Sequence, residues 1–587
     1  MTPRSPASDL TPAQIAWRLL GESLPPRWRL YAVSLVCMVG VAGFTAGVAW
    51  STKLIVNDIF VAGDAAAAYW IAALVVALAL AKAGFDYANA VVGVVFARGV
   101  SAAYQKQVFA AFLDKDVWHF LGTPAAKHMA EVRLYGQACG KVTVGLSNKL
   151  LTDGLTVVAL LTVMVWQDPV MSLVSLVLFP AIFLLISTLS RHIKSVARVE
   201  KELTGELQAL GTEAFDGVRT IKSYGLEEKS KRRFNRAVDA LEERVLSIAR
   251  ATSATMPAME VLGGLVLGSF VVYAAWQTIT VGKSPGEFTA FITAFLMAYQ
   301  PAERVSKLWV DVQKSIAHVQ QMYEALEAPP RRPQGGTATL DGPPDVAFED
   351  VSFSYAPDAP ALHEVSFTIP AGEKVAIVGG SGAGKTTLID LVQRFYDPTA
   401  GRVRIAGRDL REVSEPAMRG AIALISQDVF LFEGTVRDNV RDGRPEASDA
   451  EVLEAARRAA LDDVLAADGG IDAPVGPGGS FLSGGQRQRV GIARALLRGA
   501  RVLIFDEATS ALDAANERRI MENILAAQHG ATLLFVTHRP ATLAYVDRVL
   551  FLEAGHLAGY DTHAALAGAN AAYRALFNLA DTAEAAE

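Results

Sequence analysis

The strongest constraint on this chain is where its apolar residues lie: they crowd into the first 310 positions. Six runs there, at roughly 31–55, 68–97, 146–166, 170–189, 257–279 and 287–310, are long enough to cross a bilayer, which takes about 20 apolar residues per helix. In hydrocarbon every backbone N–H and C=O must be satisfied within the segment, so such runs fold as helices. No comparable run follows position 345. Composition agrees, with 51% hydrophobic and 20% charged residues and a mean hydropathy of +0.27. These values exclude disorder and coiled coil for most of the chain and weigh against a purely soluble enzyme. The net charge of −6 offers no basic excess for nucleic acid. Two cysteines, Cys37 in an apolar run and Cys139 in a polar stretch, exclude a disulfide framework.

Residues 1–29 lack the short apolar core of a cleavable signal, and 12–20 predicts a short amphipathic helix at the membrane surface. The links after the first, third and fifth spans are short and carry Asp58, Asp64, Asp168 and Lys283. Those after the second and fourth are much longer and basic, with Lys106, Lys115, Lys127, Arg133, Arg191, Lys194, Lys222, Lys231, Arg232 and Arg233. Positive charge stays cytoplasmic, so both termini and both long loops are expected in the cytosol. Apolar residues three and four apart in 196–210 and 230–248 predict that the spans continue there as long helices. Pro180, Pro257 and Pro301 fall within spans and predict local kinks.

A Pro/Gly-rich passage, 329–344, reads as a linker, and beyond it short strands alternate with helices. The strand Val375–Val378 runs into Gly379-Gly380-Ser381-Gly382-Ala383-Gly384-Lys385-Thr386-Thr387 and then a helix pattern, 388–395. This is a phosphate-binding loop in its required strand–loop–helix setting. Its glycines let backbone N–H groups point at phosphate oxygens, at the positive end of the helix dipole. Lys385 reaches the β- and γ-phosphates, and the Thr386 hydroxyl is a ligand for Mg²⁺. A second buried strand, 501–505, ends in Asp506-Glu507. Asp506 in that position holds Mg²⁺ through water, and Glu507 is placed to polarise an attacking water as general base. Between them, Leu482-Ser483-Gly484-Gly485-Gln486 opens a helix, which alone is only another anion-binding helix start.

Leu482–Gln486 in this order resembles the signature of ATP-binding cassette (ABC) transporters. The rest of that family's set follows in order and spacing over about 345–580. Tyr355 matches the aromatic that stacks on adenine. Gln427, in Ile425-Ser426-Gln427-Asp428, matches the glutamine that senses Mg²⁺ and the attacking water. Asp513, in Ser510-Ala511-Leu512-Asp513, matches the loop that crosses the dimer, and His538, in Val536-Thr537-His538-Arg539, the histidine at the γ-phosphate. The ATP set implied is Tyr355, Gly379 to Thr387, Gln427, Ser483 to Gln486 and Asp506. Catalysis falls to Glu507, His538 and Gln427, and Mg²⁺ to Thr386, Gln427 and Asp506. One departure is visible: where exporters usually carry an acidic residue before the signature, this chain has Pro477, in Val475-Gly476-Pro477-Gly478-Gly479.

Six spans before one cassette resemble a half-size ABC exporter of the lipid A flippase and multidrug branch. Residues 120–123 and 213–222 resemble its two coupling segments. The resemblance implies a multi-domain membrane protein: an all-α six-helix transmembrane domain with long cytosolic extensions, then an α/β P-loop ATPase domain. Its divisions would be an N-terminal cytosolic or interfacial segment at 1–29, the transmembrane domain at 30–328, the linker at 329–344 and the nucleotide-binding domain at 345–582. It also implies a bacterial inner membrane location with N-terminus and ATPase cytoplasmic. Two composite ATP sites would form in a dimer, a homodimer by the intact motifs, although a different partner chain would also serve.

The implied activity is ATP-driven export or flipping of an amphipathic lipid, drug or lipid-like molecule by alternating access. The alternatives are a lipid A-type flippase, a peptide exporter and, more remotely, a channel or sensor on the same scaffold. Charges within spans are functional candidates: Lys82 and Asp86, Lys149 and Asp153, Glu260, and Glu303 with Arg304. The spacing of four in the first two sets predicts intrahelical ion pairs, with Lys82 alternatively facing the substrate. Lys82 matches one basic headgroup position of lipid A flippases, whereas Thr152 and Gln300-Pro301-Ala302-Glu303 stand where others are expected.

Overall fold

A computed structural model of the chain describes residues 10–121, 123–175, 203, 205–253, 255–280, 283–328, 335–356, 358–508, 514–527 and 530–577. Most of the expected fourth span, with Pro180, Arg191 and Lys194, lies outside the described residues, as do Gly122, residues 329–334 and Asp513 with its neighbours 509–512. The chain divides into two compact units, Met1–Leu113 with Ala125–Ala328, and Asp114–Pro124 with Pro329–Glu587.

The first unit is helical. After α1 (Pro12–Ser23) come α2 (Trp28–Leu54), α3 (Ala65–Leu113), α4 (Ala125–Val144) and α5 (Leu150–Gln167). Three helical stretches among the described residues are long and apolar enough to cross a membrane: Pro25–Val61, Ala65–Leu113 and Ala125–Gln167. The expected runs 257–279 and 287–310 fall inside the helices Thr255–Thr280 and Pro285–Glu327. Large apolar side chains such as Tyr69, Leu80, Val94, Trp166, Val272 and Ile279 point outward, the arrangement a hydrocarbon solvent favours. The 49 residues of α3 extend roughly 70 Å at the α-helical rise, more than twice the hydrocarbon thickness. The span therefore continues well beyond the membrane, as its sequence predicted.

Polar contacts tie the helices at both ends. Where the short links gather, Lys283 pairs with Asp168 at 2.6 Å and Lys53 with Glu287 at 3.2 Å. Nearby, Asn57 donates to Ser284 and accepts from the Gly286 N–H. At the other end α1 is held by protein rather than lying free on a surface. Ile15 and Leu19 are fully buried against residues of α3, α4 and the helix Pro285–Glu327. The Tyr104 and Tyr323 hydroxyls both donate to Glu22, and Arg18 reaches Glu327 at 2.6 Å. Trp17 stays exposed, so the amphipathic reading holds but its apolar face is mostly covered by the chain itself.

One expectation for the spans is corrected, that of the ion pairs, while two of the prolines expected to kink the spans lie inside helices. Pro257 lies within the helix Thr255–Thr280. Helix continues through Pro301. The intrahelical ion pairs do not form. Asp153 is held by Arg304, at 3.0 and 2.8 Å, from another helix, and Lys149 closes a π-turn, Gly145–Lys149. No ion pair joins Lys82 to Asp86 among the described residues. Beside the π-turn, Asn148 donates to Ser34 and Asn89, and Asn89 to Thr152, a buried network that cross-links α2, α3 and α5.

The second unit carries two sheets. Strands β1 (Val346–Ala356), β2 (Ala359–Ile369), β4 (Ala400–Ile405) and β5 (Arg408–Asp409) form an antiparallel sheet ordered β2-β1-β4-β5. The other is ordered β10-β9-β3-β8-β7-β6, from β3 (Lys374–Gly379), β6 (Ile422–Ile425), β7 (Val502–Asp506), β8 (Thr532–Val536), β9 (Arg548–Glu553) and β10 (His556–Asp561). Its β9, β3, β8, β7 and β6 run parallel, and near-continuous Val, Ile and Leu fits strands covered on both faces. Residues 335–344, expected as linker, instead dock here. Ala338 pairs with Val413, Leu340 is buried, and Arg501 donates to the Leu340 and Gly342 carbonyls. The loop Asp114–Pro124 carries a 3₁₀ turn, Val117–Phe120, slightly before the segment expected from resemblance.

If α1 docks as described, Leu19→Ala should lower stability by ~2–5 kcal/mol, the usual cost of emptying a core leucine site. Gly21→Ala, in the same helix with open space around its Cα, should raise it by up to ~1 kcal/mol. Thermal unfolding of the solubilised chain should therefore move in opposite directions for the two variants.

Candidate functional site

Strand register assembles the site. Asp506 of β7 lies beside Val536 of β8, and Val536 beside Ile377 of β3. The loops leaving these three strands therefore emerge together at their C-terminal edge, where parallel sheets bind ligands. From β3 comes 379–387, from β7 Glu507, and from β8 Thr537-His538.

The loop after β3 is shaped by glycine. Gly384 has φ +98°, and a Cβ there would meet the Ala361 carbonyl at 2.9 Å, so only glycine fits. The helix Lys385–Val392 starts directly after it. Lys385 is buried and its Nζ donates to the Gly379 and Gly380 carbonyls at 2.8 and 2.9 Å. Burial holds its pKa below the ordinary lysine value, against the opposing pull of Glu507 and Asp506. Thr386 is exposed on the first turn of that helix. Burial and the neighbouring Glu507 raise the Asp506 carboxyl above its usual range, with Lys385 acting the other way. A buried ammonium facing two carboxylates, with exposed hydroxyl and loop amides beside it, is a donor set suited to a nucleotide phosphate with a hard divalent cation.

Glu507 has φ +47°, a left-handed conformation that costs a non-glycine residue about 1–2 kcal/mol. Its N–H is retained by the Val536 carbonyl. The bend sends the side chain across to His538, whose Nε2 lies 2.9 Å from Glu507 Oε1. Strain at such a position is characteristic of working sites. Nothing in the sequence marks this turn, because Glu is an ordinary strand-end residue.

Tyr355 and Thr387 share a hydrogen bond of 3.1 Å, and the Tyr355 hydroxyl lies 3.5 Å from Asp390. Gln427 is exposed, on the loop after β6, with no side-chain hydrogen bond among the described residues. Ser483 caps the helix Gly484–Arg498 in a reciprocal box with Gln486. Gln486 donates to Asp463, which Arg489 also grips at 2.8 Å through both nitrogens. This helix packs on Val436–Arg441, Asp449–Arg458 and β6, whereas the helix Lys385–Val392 packs on β2 and β3. Within one chain, then, the apolar residues of the helix that Ser483 caps belong to a different hydrophobic cluster from those of the helix that Lys385 opens. Gly476, Gly478 and Gly479, which precede Ser483, all have positive φ; Pro477 opens a tight turn where an acidic side chain was expected.

Asp390 was not apparent from sequence. Burial, with Asp506 adding and the Tyr355 hydroxyl opposing, pushes its carboxyl up to about 6. A folded-state pKa above the unfolded value of about 3.9 contributes stability at low pH that is lost as pH rises through about 6. Asp390→Asn should therefore melt higher than the parent at pH 7.5, with the gap closing towards pH 4. A gap that did not change with pH would show the carboxyl to be unperturbed.

Residues 362–510 match the ABC transporter family and residues 31–301 the ABC transporter transmembrane region. The chain is 33% identical to the ABC transporter ATP-binding protein y4gM of Sinorhizobium fredii over 96% of both chains. It is 31% identical to an ATP-dependent lipid A-core flippase of Syntrophus aciditrophicus, over 96% of this chain and 94% of that one. A solved bacterial Atm1-family ABC exporter with ATP bound superposes with a TM-score of 0.84 at 25% identity, covering 94% of this chain and 98% of the other.

Proposed function

Because the chain belongs to the ABC transporters, as a half-size exporter with membrane region and ATPase fused, we propose that it moves an amphipathic lipid or lipid-like molecule from the cytoplasmic leaflet of a bacterial inner membrane. Two copies would work together, each driving the step with ATP. The observation that carries this reading is the Glu507–His538 pair beside Lys385, in a chain whose other half is a bundle of apolar helices.

In this reading Tyr355 stacks on adenine, and the amides of 379–387 with Lys385 bind the β- and γ-phosphates. Thr386, Asp506 and Gln427 would be the oxygen donors for a Mg²⁺, which would offset the phosphate charge. Glu507 takes the proton of the attacking water at its carboxylate, and His538, hydrogen-bonded to that carboxylate, keeps it aimed and touches the γ-phosphate. Ser483, Gly484, Gly485 and Gln486 close over ATP held by the second copy, which the separate packing of their helix favours. Closing the ATPases turns the membrane cavity outward, and hydrolysis releases them. ATP shifts that equilibrium only by its greater affinity for the closed pair.

Lipid A flippase is the narrower reading. Its support is the 30–32% identity to proteins of that name across nearly the whole chain. Against it, Thr152 and Glu303 stand at expected basic positions, and Arg304 is occupied by Asp153.

Glu507→Gln should keep ATP binding, lose at least a hundredfold in turnover, the usual range for removing a general base, and accumulate an ATP-bound dimer. Lys385→Ala should lose both binding and hydrolysis. In inside-out vesicles the parent should move a fluorescent lipid only with ATP and the Glu507→Gln variant should not. Equal turnover in the Gln variant would remove Glu507 as base, and ATP hydrolysis without lipid movement would point to another cargo.

A further inference from the structure

The loop Asp114–Pro124 joins α3 to α4 in sequence yet packs as part of the nucleotide-binding unit. It reaches that unit's core through one large side chain, Trp118. The indole stands edge-on to Tyr396, with ring centroids 5.1 Å apart at 86°, and lies 6.3 Å from the Tyr355 ring and 6.4 Å from Phe353. Phe353 and Tyr396 also meet Tyr355 edge-on, at 4.9 and 5.6 Å. Tyr355 is thus held on three sides by rings and at its tip by Thr387. Phe353 and Tyr396 are buried core residues of β1 and the segment after the phosphate-loop helix. Trp118 is the wall contributed by the loop between two membrane helices.

We propose that Trp118 is a positioning residue for Tyr355, so that the loop between α3 and α4 sets how well the site holds the adenine base. This rests on the assignment of Tyr355 as the stacking platform. Edge-to-face aromatic pairs favour specific orientations beyond mere burial, and removing the indole opens space beside the Tyr355 ring while leaving the phosphate loop untouched. The effect belongs to the base and not to the phosphates. By linkage, a nucleotide whose base is stacked favours the loop position that brings Trp118 in, giving the membrane helices a report of base occupancy through one side chain.

The test uses the full-length chain in lipid nanodiscs. ATPase kinetics are measured for Trp118→Ala, Trp118→Phe, Tyr355→Ala and the Trp118→Ala/Tyr355→Ala double variant, with inorganic tripolyphosphate as a competitor that lacks a base. Trp118→Ala should raise KM for ATP by about three- to tenfold, the scale of an aromatic pair, with a smaller change in kcat. The inhibition constant of tripolyphosphate should stay where it is in the parent. Trp118→Phe should restore most of the affinity, and Trp118→Ala should add little once Tyr355 is gone. An unchanged KM, an equal shift for tripolyphosphate, or full additivity with Tyr355→Ala would each overturn the proposal. If Tyr355→Ala itself left KM unchanged, the platform assignment would fail first. Trp118→Leu, which keeps an apolar group in the seat, gives the same readings if the alanine variant does not accumulate.

Discussion

The chemistry of this chain depends on β8 lying between β3 and β7. That pairing aligns Ile377, Val536 and Asp506 across three parallel strands, and so delivers a lysine, two carboxylates and a histidine to one edge. A slip of one residue would reverse which face each side chain occupies and would separate Glu507 from His538. The register is protected by burial on both faces: Ile377, Leu503, Ile504 and Leu534 are almost wholly inaccessible, so any slip would strand apolar and polar groups in the wrong surroundings. The left-handed turn at Glu507 is tolerable because its own N–H remains in the ladder with Val536.

The membrane half is organised differently. Lipid offers helices little hydrophobic reason to associate, so packing and polar contacts carry the specificity. Here these sit at the two ends and at one level between. Asp168, Lys283, Lys53 and Glu287 pin one end, Glu22 with Tyr104 and Tyr323 the other, and Asn89, Asn148 and Ser34 join three helices between. Asp153–Arg304 belongs with them as a cross-link between helices distant in sequence.

These contacts explain what the sequence revealed and what it withheld. The phosphate loop was legible because its backbone needs glycine at set positions, as at Gly384, and a lysine at a fixed offset. The spans were legible because lipid demands length and apolarity. Asp153 was misread because sequence spacing shows only neighbours on one helix, and Lys149 at four residues looked a better partner than Arg304, 151 residues on. The docking of 335–344 and of Trp118 was invisible for the same reason: each depends on a tertiary surface that no local pattern announces. The 3₁₀ turn at Val117–Phe120 hid behind an unremarkable mixed stretch, although an indole in a charged loop was a signal that something apolar should receive it.

The turn at Pro477 bears on how the two proposed copies communicate. An acidic side chain before the signature would offer a charge to a neighbouring loop. Gly476, Gly478 and Gly479 instead hold positive φ, and Arg487 donates to the Leu482 carbonyl just behind them, so this segment presents backbone and a proline ring in place of a carboxylate. The exposed rings nearby are Phe430, Phe432 and Phe481. A contact made there would rest on apolar burial, which is non-directional and insensitive to salt, rather than on a charge pair. Signalling from membrane loop to ATPase in this chain would then lean on shape: a ring inserted into an aromatic seat, as at Trp118, transmits displacement through packing that is too dense to deform gradually.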